Sequence, residues 1–182
     1  MKKNIVLTGF MGTGKSVAGK KLAALLDMEF VDTDSIIEEK EGTSIVRIFQ
    51  VKGEEYFRDV ESEVIAEASM KEGCVIAAGG GAVTREKNIE NLKKKGVVIC
   101  LTAEPSVIIC RTLPAKDRPL LLKSRDALST VRRMMKDRQA CYARADYTID
   151  TSLHSPDDTA REVISILKKG KRRDGEHKDK SA

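Results

Sequence analysis

Near the start of the chain the run Gly9-Phe10-Met11-Gly12-Thr13-Gly14-Lys15-Ser16 carries the G-x-x-x-x-G-K-[ST] spacing of a loop that wraps a phosphate. Glycines at 9, 12 and 14 let the backbone take positive φ and approach an anion closely, so that successive N–H groups and the positive end of the next helix converge on it. Lys15 then supplies a point charge for β- and γ-phosphates, and the Ser16 hydroxyl a ligand for Mg²⁺. A chance Gly-rich turn before a helix would read the same way. Here the apolar run Ile5-Val6-Leu7 precedes the loop and helical periodicity follows it, which is the setting the motif requires.

A second group of chemistry-bearing residues is Asp32-Thr33-Asp34. In an extended segment residues two apart point to the same side, so both carboxylates can face the phosphate loop, one holding Mg²⁺ through water and one orienting an attacking hydroxyl. The alternative is a pair of capping aspartates that open a helix from Ser35. The apolar run Cys74–Ala78 ends in Gly79-Gly80-Gly81 with no acid, which leaves Asp32 as the nearest carboxylate in sequence for a metal. Three glycines after a buried strand serve as a flexible connector or as a place where backbone must approach a ligand.

Arg58 lies in Gly53-Glu54-Glu55-Tyr56-Phe57-Arg58-Asp59-Val60-Glu61, beside a helical face made by Phe57, Val60, Val64 and Ala68. Glu61, one turn on, can hold its guanidinium, although pairs at this spacing are commonly solvated. The segment Arg111–Leu121 carries prolines at 114 and 119 and reads as a lid able to bring Arg118 onto a phosphate, or as an exposed basic loop. Arg138 occupies the vacant turn on the apolar stripe Leu128, Val131, Met135 and Tyr142. A charge on such a stripe needs a partner, either a protein carboxylate or an anionic ligand held by the guanidinium fork.

The elements that must position these residues follow from the alternation of short and long apolar patterns. Strand-like runs fall at Asn4–Gly9, Phe30–Asp32, Cys74–Ala78, Val97–Leu101 and Tyr147–Asp150, with helical patterns between them. That alternation predicts a parallel sheet with helices on both faces and ligands beyond the carboxyl ends of its strands. The 182 residues suit one domain, taken as 1–167, with a lid about 111–124. Residues 168–182 carry four of the five net positive charges, so the basicity reads as that of a solvated, disordered tail and the body is nearly neutral. A nucleic-acid partner is therefore not expected.

Cys74, Cys100, Cys110 and Cys141 show neither C-x-x-C pairing nor metal spacing with histidine, as reduced thiols of a cytoplasmic protein would. Lys2-Lys3 before apolar residues has the outline of a signal peptide, but Lys15 and the glycines interrupt it. No segment approaches the ~18 apolar residues of a membrane span.

Taken together, GFMGTGKS, DTDSIIEE, GEEYFRDVE, GGGAV, RTLPAKDRPLL and the final Arg-x-x-x-Tyr closely resemble the shikimate kinase family over residues 4–165. The resemblance implies a P-loop fold like that of nucleoside monophosphate kinases, with a five-stranded parallel sheet. It also implies ATP-dependent phosphorylation of the 3-hydroxyl of shikimate, a step of aromatic amino acid synthesis, by a monomer whose substrate-binding helices span about 34–70. Carried over by motif, Gly12, Thr13, Gly14, Lys15 and Ser16 serve the ATP phosphates and Mg²⁺, with Asp32 in the outer shell of the metal. Asp34 holds the reacting hydroxyl, Arg58 and Arg138 the substrate carboxylate, and Gly80 and Gly81 the ring hydroxyls. Arg118 is then the lid arginine and Arg111 lies against adenine. Two positions depart from the family pattern, Arg47 where an acid is common and Ala140-Cys141 where Pro-Leu is common. Another small-molecule P-loop kinase, such as a gluconate kinase, would share the first motif but has less need of two arginines. A guanine-specific GTPase would need an Asn-Lys-x-Asp motif, which does not occur.

Overall fold

The computed structural model describes residues 3–112 and 126–178, with side chains to residue 169. Arg118 and all but the first two residues of the expected lid lie outside the described residues. Five strands, β1 (Asn4–Gly9), β2 (Glu29–Asp32), β3 (Cys74–Ala77), β4 (Gly96–Thr102) and β5 (Tyr147–Asp150), pair in parallel in the order β2-β3-β1-β4-β5. Each lies within one residue, at either end, of its expected run.

The helices are α1 (Lys15–Leu26), α2 (Thr33–Glu41), α3 (Ile45–Val51), α4 (Gly53–Met70), α5 (Glu86–Lys95), α6 (Pro105–Thr112), α7 (Ala127–Tyr142) and α8 (Pro156–Lys178), with a 3-10 turn at Ala82–Thr84. The last helix thus runs past residue 167 into the basic segment.

Alternation along β1 divides the core. Ile5 and Leu7 join Leu22 of α1, Ile149 of β5 and Val163 of α8 on one face, while Val6 joins Ile65 of α4, Leu92 of α5 and Val98 on the other. All of these are buried, and each such side chain contributes about 1.5–3 kcal/mol by leaving water. A smaller cluster of Ile37, Ile48, Phe57, Val60 and Val64 ties α2, α3 and α4 together. Arg47, one of the two positions that depart from the expected pattern, is exposed on α3.

The sheet order decides where a ligand can sit. From β1 the chain crosses to β2 at one edge, and from β3 it crosses back over β1 to β4. The connections therefore part company at the carboxyl ends of β1 and β3, which opens a crevice there. Both glycine segments, after Gly9 and after Ala77, leave the sheet at that crevice.

Thiol chemistry offers a check on this packing. Cys74 and Cys100 are buried and Cys110 is exposed, and burial pushes the Cys100 thiol up to about 11. Since the thiolate is the nucleophile, iodoacetamide at pH 8 is expected to label Cys110 in the native protein and Cys100 only on unfolding. Peptide mass mapping would show this, and native labelling of Cys100 would contradict the sheet register.

Candidate active site

The phosphate loop is shaped by backbone rather than side chains. Gly12 and Gly14 have φ of 76° and 92°, and a Cβ at Gly9 would collide with the Leu101 carbonyl of β4. Gly14 caps α1 in the left-handed region with no side-chain acceptor, and the first turn holds no acid. The N–H groups opening α1 are thus left for an anion. Buried Thr13 donates to Phe10 O at 2.8 Å, and Thr151 donates to Thr13 O at 3.0 Å, tying the loop to the end of β5. Lys15 Nζ donates to Gly9 O and Phe10 O, both at 2.9 Å, across the mouth of the loop.

Two clefts meet at this loop. One, of about 250 Å³, is lined by Lys15, Ser16, Asp32, Asp34 and Gly80. The other, of about 290 Å³, is lined by Thr13, Arg111, Thr151, His154 and Pro156. Gly12, Gly14 and Val17 border both, so an elongated phosphate ester can span them over the start of α1.

The two aspartates reach the first cleft by a route other than the expected one. The helix opens at Thr33 rather than Ser35, and Asp32 is its N-cap, with Oδ1 accepting from Asp34 N–H at 3.1 Å. Asp34 therefore stands in a first helical turn, not on an extended segment. The capping role expected as an alternative falls to Asp32, and both acids still line the cleft, because a cap needs only one carboxylate oxygen.

Gly79-Gly80-Gly81 is a place of close approach. None of the three has positive φ, so conformational freedom is not what they supply. A Cβ on Gly79 would stand 2.6 Å from Asp34 Oδ1 and 2.6 Å from Glu61 Oε1, and one on Gly81 would stand 2.5 Å from Arg58 Nη1. At Gly80 it would meet Met11 N of the phosphate loop at 3.4 Å. Missing side chains at Gly79 and Gly81 thus let two carboxylates and a guanidinium close on one stretch of backbone, with the phosphate loop in ordinary contact beside Gly80.

Arg58 and Glu61 form a buried pair rather than a solvated one. Arg58 Nη1 donates to Glu61 Oε2 at 2.7 Å, and Glu61 is 1 % exposed. Glu54 accepts from Arg58 Nη2 at 3.2 Å, and the Phe57 ring centre lies 5.0 Å from the guanidinium carbon. Burial pushes the Glu61 carboxyl above its ordinary range, Arg58 pulls it back, and Asp34 pushes it up again. Glu61 Oε1 is buried and accepts no hydrogen bond among the described residues.

Arg138 is half-buried on α7, where Val131 is the fully buried position and Leu128, Met135 and Tyr142 are half-buried. The expected apolar stripe is therefore only partly withdrawn from water. No carboxylate lies within 4.0 Å of Arg138 among the described residues, and Arg138 Nη1 instead donates to Gly80 O at 3.4 Å. Tyr142 OH donates to the same carbonyl at 2.6 Å. Arg111 donates to Thr151 O at 2.7 Å in the second cleft. Of the expected site residues, Lys15, Ser16, Asp32, Asp34 and Gly80 line one cleft and Thr13 and Arg111 its neighbour, with Gly12 and Gly14 on both, while Arg58 lies against Gly81 and Arg138 against the Gly80 carbonyl. Thr151 and the carbonyl-binding role of Tyr142 were not legible, because Thr151 lies in no motif and the Arg138-x-x-x-Tyr142 spacing sets the two side chains on one helix face without naming the Gly80 carbonyl.

Burial raises Tyr142 from 10.0 to about 12, against the pull of Arg138. A group whose folded pKa is raised contributes stability that is complete below pH 10 and lost as pH rises toward 12. Denaturant titrations across that window should show unfolding free energy falling more steeply in the native sequence than in Tyr142→Phe. Equal slopes would mean that Tyr142 is not held as described.

Along most of its length the chain is similar to known proteins. A profile of the family described as shikimate kinase matches residues 11–168. A shikimate kinase of Caldanaerobacter subterraneus subsp. tengcongensis is 47% identical over 162 residues, covering 89% of this chain and 94% of that protein. Shikimate kinase from Acinetobacter baumannii in complex with shikimate superposes with a TM-score of 0.89 at 37% identity, covering 94% of this chain and 96% of that one. The Aquifex aeolicus shikimate kinase superposes with a TM-score of 0.78 at 30% identity, over 92% and 97% of the two chains. With family profile, sequence relatives and fold in agreement, this chain belongs to the shikimate kinase family.

Proposed function

We propose that the two clefts are the halves of one phosphoryl-transfer site, with ATP laid across the phosphate loop and shikimate beside Asp34. The activity is that of the family, transfer of the γ-phosphoryl group of ATP to shikimate in aromatic amino acid biosynthesis, here assigned to its 3-hydroxyl. The observation that carries the residue assignment is the convergence of Asp34, Arg58 and Arg138 on Gly79-Gly80-Gly81, next to the loop that holds Lys15. Shikimate bears one carboxylate and a ring of hydroxyls. Arg58, fixed by Glu61, and Arg138 supply two guanidinium groups for the carboxylate, while the Gly80 and Gly81 N–H groups are assigned to the ring hydroxyls, the Gly80 carbonyl accepting from Tyr142 and Arg138 and the Gly81 carbonyl from Thr84.

Ser16 and Asp32 are oxygen donors on the same cleft, and the described residues contain no cluster of three or more His, Cys, Asp or Glu spaced for a metal. Such a sparse oxygen set suits Mg²⁺, which keeps several waters and arrives with nucleotide phosphates. When bound, the ion neutralises charge on the β- and γ-phosphates. Lys15 adds a cation there by leaving the Gly9 and Phe10 carbonyls, and the N–H groups of α1 hold the β-phosphate. Arg111 and Pro156 border the cleft left for adenine. Asp34 aligns the acceptor hydroxyl and accepts its proton as the bond to phosphorus forms, in a loose transition state where positioning and charge do most of the work. Arg118 is assigned to close on the transferred group from the lid. No described helix is long and apolar enough to cross a membrane, and the protein is taken as a cytoplasmic monomer with no nucleic-acid partner.

The first test is ADP release with ATP and Mg²⁺, comparing shikimate, gluconate and no acceptor. Turnover with shikimate alone is expected, and a preference for gluconate would overturn the substrate. Asp34→Asn should lower kcat by about 100-fold or more with ATP binding unchanged by calorimetry, whereas equal losses in both would remove its assigned role. Gly81→Ala should leave the fold intact, since the colliding Arg58 head sits on a flexible stem, yet raise KM for shikimate about tenfold or more by displacing that head. An unchanged KM would separate Arg58 from the substrate carboxylate.

A further inference from the structure

Gly80 lines the cleft that holds Lys15 and Asp34, and its carbonyl is shared. One carbonyl oxygen has two lone pairs, and here Tyr142 OH takes one at 2.6 Å while Arg138 Nη1 approaches the other at 3.4 Å. The first contact is short and strong and the second is long. Arg138 and Tyr142 lie one turn apart on the same face of α7, so both reach the carbonyl from one side. Burial keeps the Tyr142 hydroxyl protonated through the working pH range, which leaves it a permanent neutral donor.

From this geometry we propose that Tyr142 is a positioning residue which, by holding the Gly80 carbonyl, releases Arg138 to bind the substrate carboxylate. The idea rests on the shikimate reading above and deepens it. A half-buried carbonyl that loses its donor costs free energy comparable to a lost hydrogen bond. With Tyr142 in place that carbonyl stays satisfied when Arg138 turns away, so the guanidinium can be spent on the ligand. Without the hydroxyl, Arg138 is the remaining donor to Gly80 among the described residues, and carboxylate and carbonyl compete for it. The same bond fixes Gly80 against Met11 of the phosphate loop and leaves Gly79 and Gly81 against Asp34, Glu61 and Arg58. Tyr142 touches neither reactant in this account and acts through Arg138.

A double-mutant cycle tests this. Tyr142→Phe, Arg138→Ala and the double variant would be compared by kcat/KM for shikimate, read from initial slopes so that saturation is not needed, together with KM for ATP. Tyr142→Phe alone is expected to lower kcat/KM about tenfold, the factor carried by one hydrogen bond of about 1.4 kcal/mol, through KM for shikimate and not through KM for ATP. In the Arg138→Ala background the same change should cost less than about twofold, because the two side chains act as one unit. Equal losses in the two backgrounds, or a matching rise in KM for ATP, would make Tyr142 merely structural and overturn the proposal. If Tyr142→Phe does not fold, tetrafluorotyrosine at 142 keeps the ring while making the phenol acidic enough to titrate in the working range despite the burial that raises Tyr142. Shikimate KM should then rise with pH as the donor is lost, and a flat profile would overturn the proposal as well. A wild-type chain with no shikimate-dependent turnover would remove both this role and the function it rests on, whereas turnover with additive variants removes this role alone.

Discussion

This site depends on side chains being absent at Gly79 and Gly81, on either side of a Gly80 where a Cβ would make only ordinary contact. Gly79, Gly80 and Gly81 leave the sheet between the phosphate loop on one side and α2 and α4 on the other, and a single methyl group at 79 or 81 would overlap a carboxylate or a guanidinium. Interiors hold little slack, so a methyl group there is accommodated only if the carboxylate or guanidinium head moves off its position. Two acids and a base can be brought within reach of a phosphate-binding loop only because backbone alone fills the space between them.

That closeness has an electrostatic consequence. Asp34 Oδ1 and Glu61 Oε1 lie at the same distance from one point over Gly79, and Glu61 is almost wholly withdrawn from water. Withdrawing a carboxylate costs several kcal/mol unless it is paired, and Arg58 at 2.7 Å provides the pairing. The pair is then more useful as a positioned charge than as a source of stability, because replacing such pairs by apolar groups is often neutral or stabilising. Arg138 is treated differently. It remains half-exposed and rests on a carbonyl and near the Phe10 ring, at 5.8 Å from its centre, contacts weak enough to be exchanged for a carboxylate.

The phosphate half of the site is more rigid in its logic. Gly12 and Gly14 set the turn, Thr13 and Thr151 pin it, and the capless start of α1 faces the cleft. None of this needs a charged side chain other than Lys15, which is why a short spacing pattern suffices to announce it.

The sequence by itself determined the five strands to within a residue, because alternating short and long apolar patterns have few foldings other than a parallel sheet with helices on both faces. It determined the phosphate loop as well, since that chemistry is local in the chain. It also carried Arg58 with Glu61 and the glycine run as candidates, but whether the pair was solvated and whether the glycines were hinge or contact stayed open. Only the tertiary structure decided those points. Burial of Glu61 and the collision distances at Gly79 and Gly81 are set by residues far apart in sequence, from Asp34 to Arg138. The same holds for Asp32, which became the cap of α2 once the helix opened at Thr33, and for Tyr142, whose partner lies 62 residues away. Local spacing reports what a segment can do alone, whereas a shared carbonyl or a missing methyl group acquires meaning only when distant segments are packed against each other.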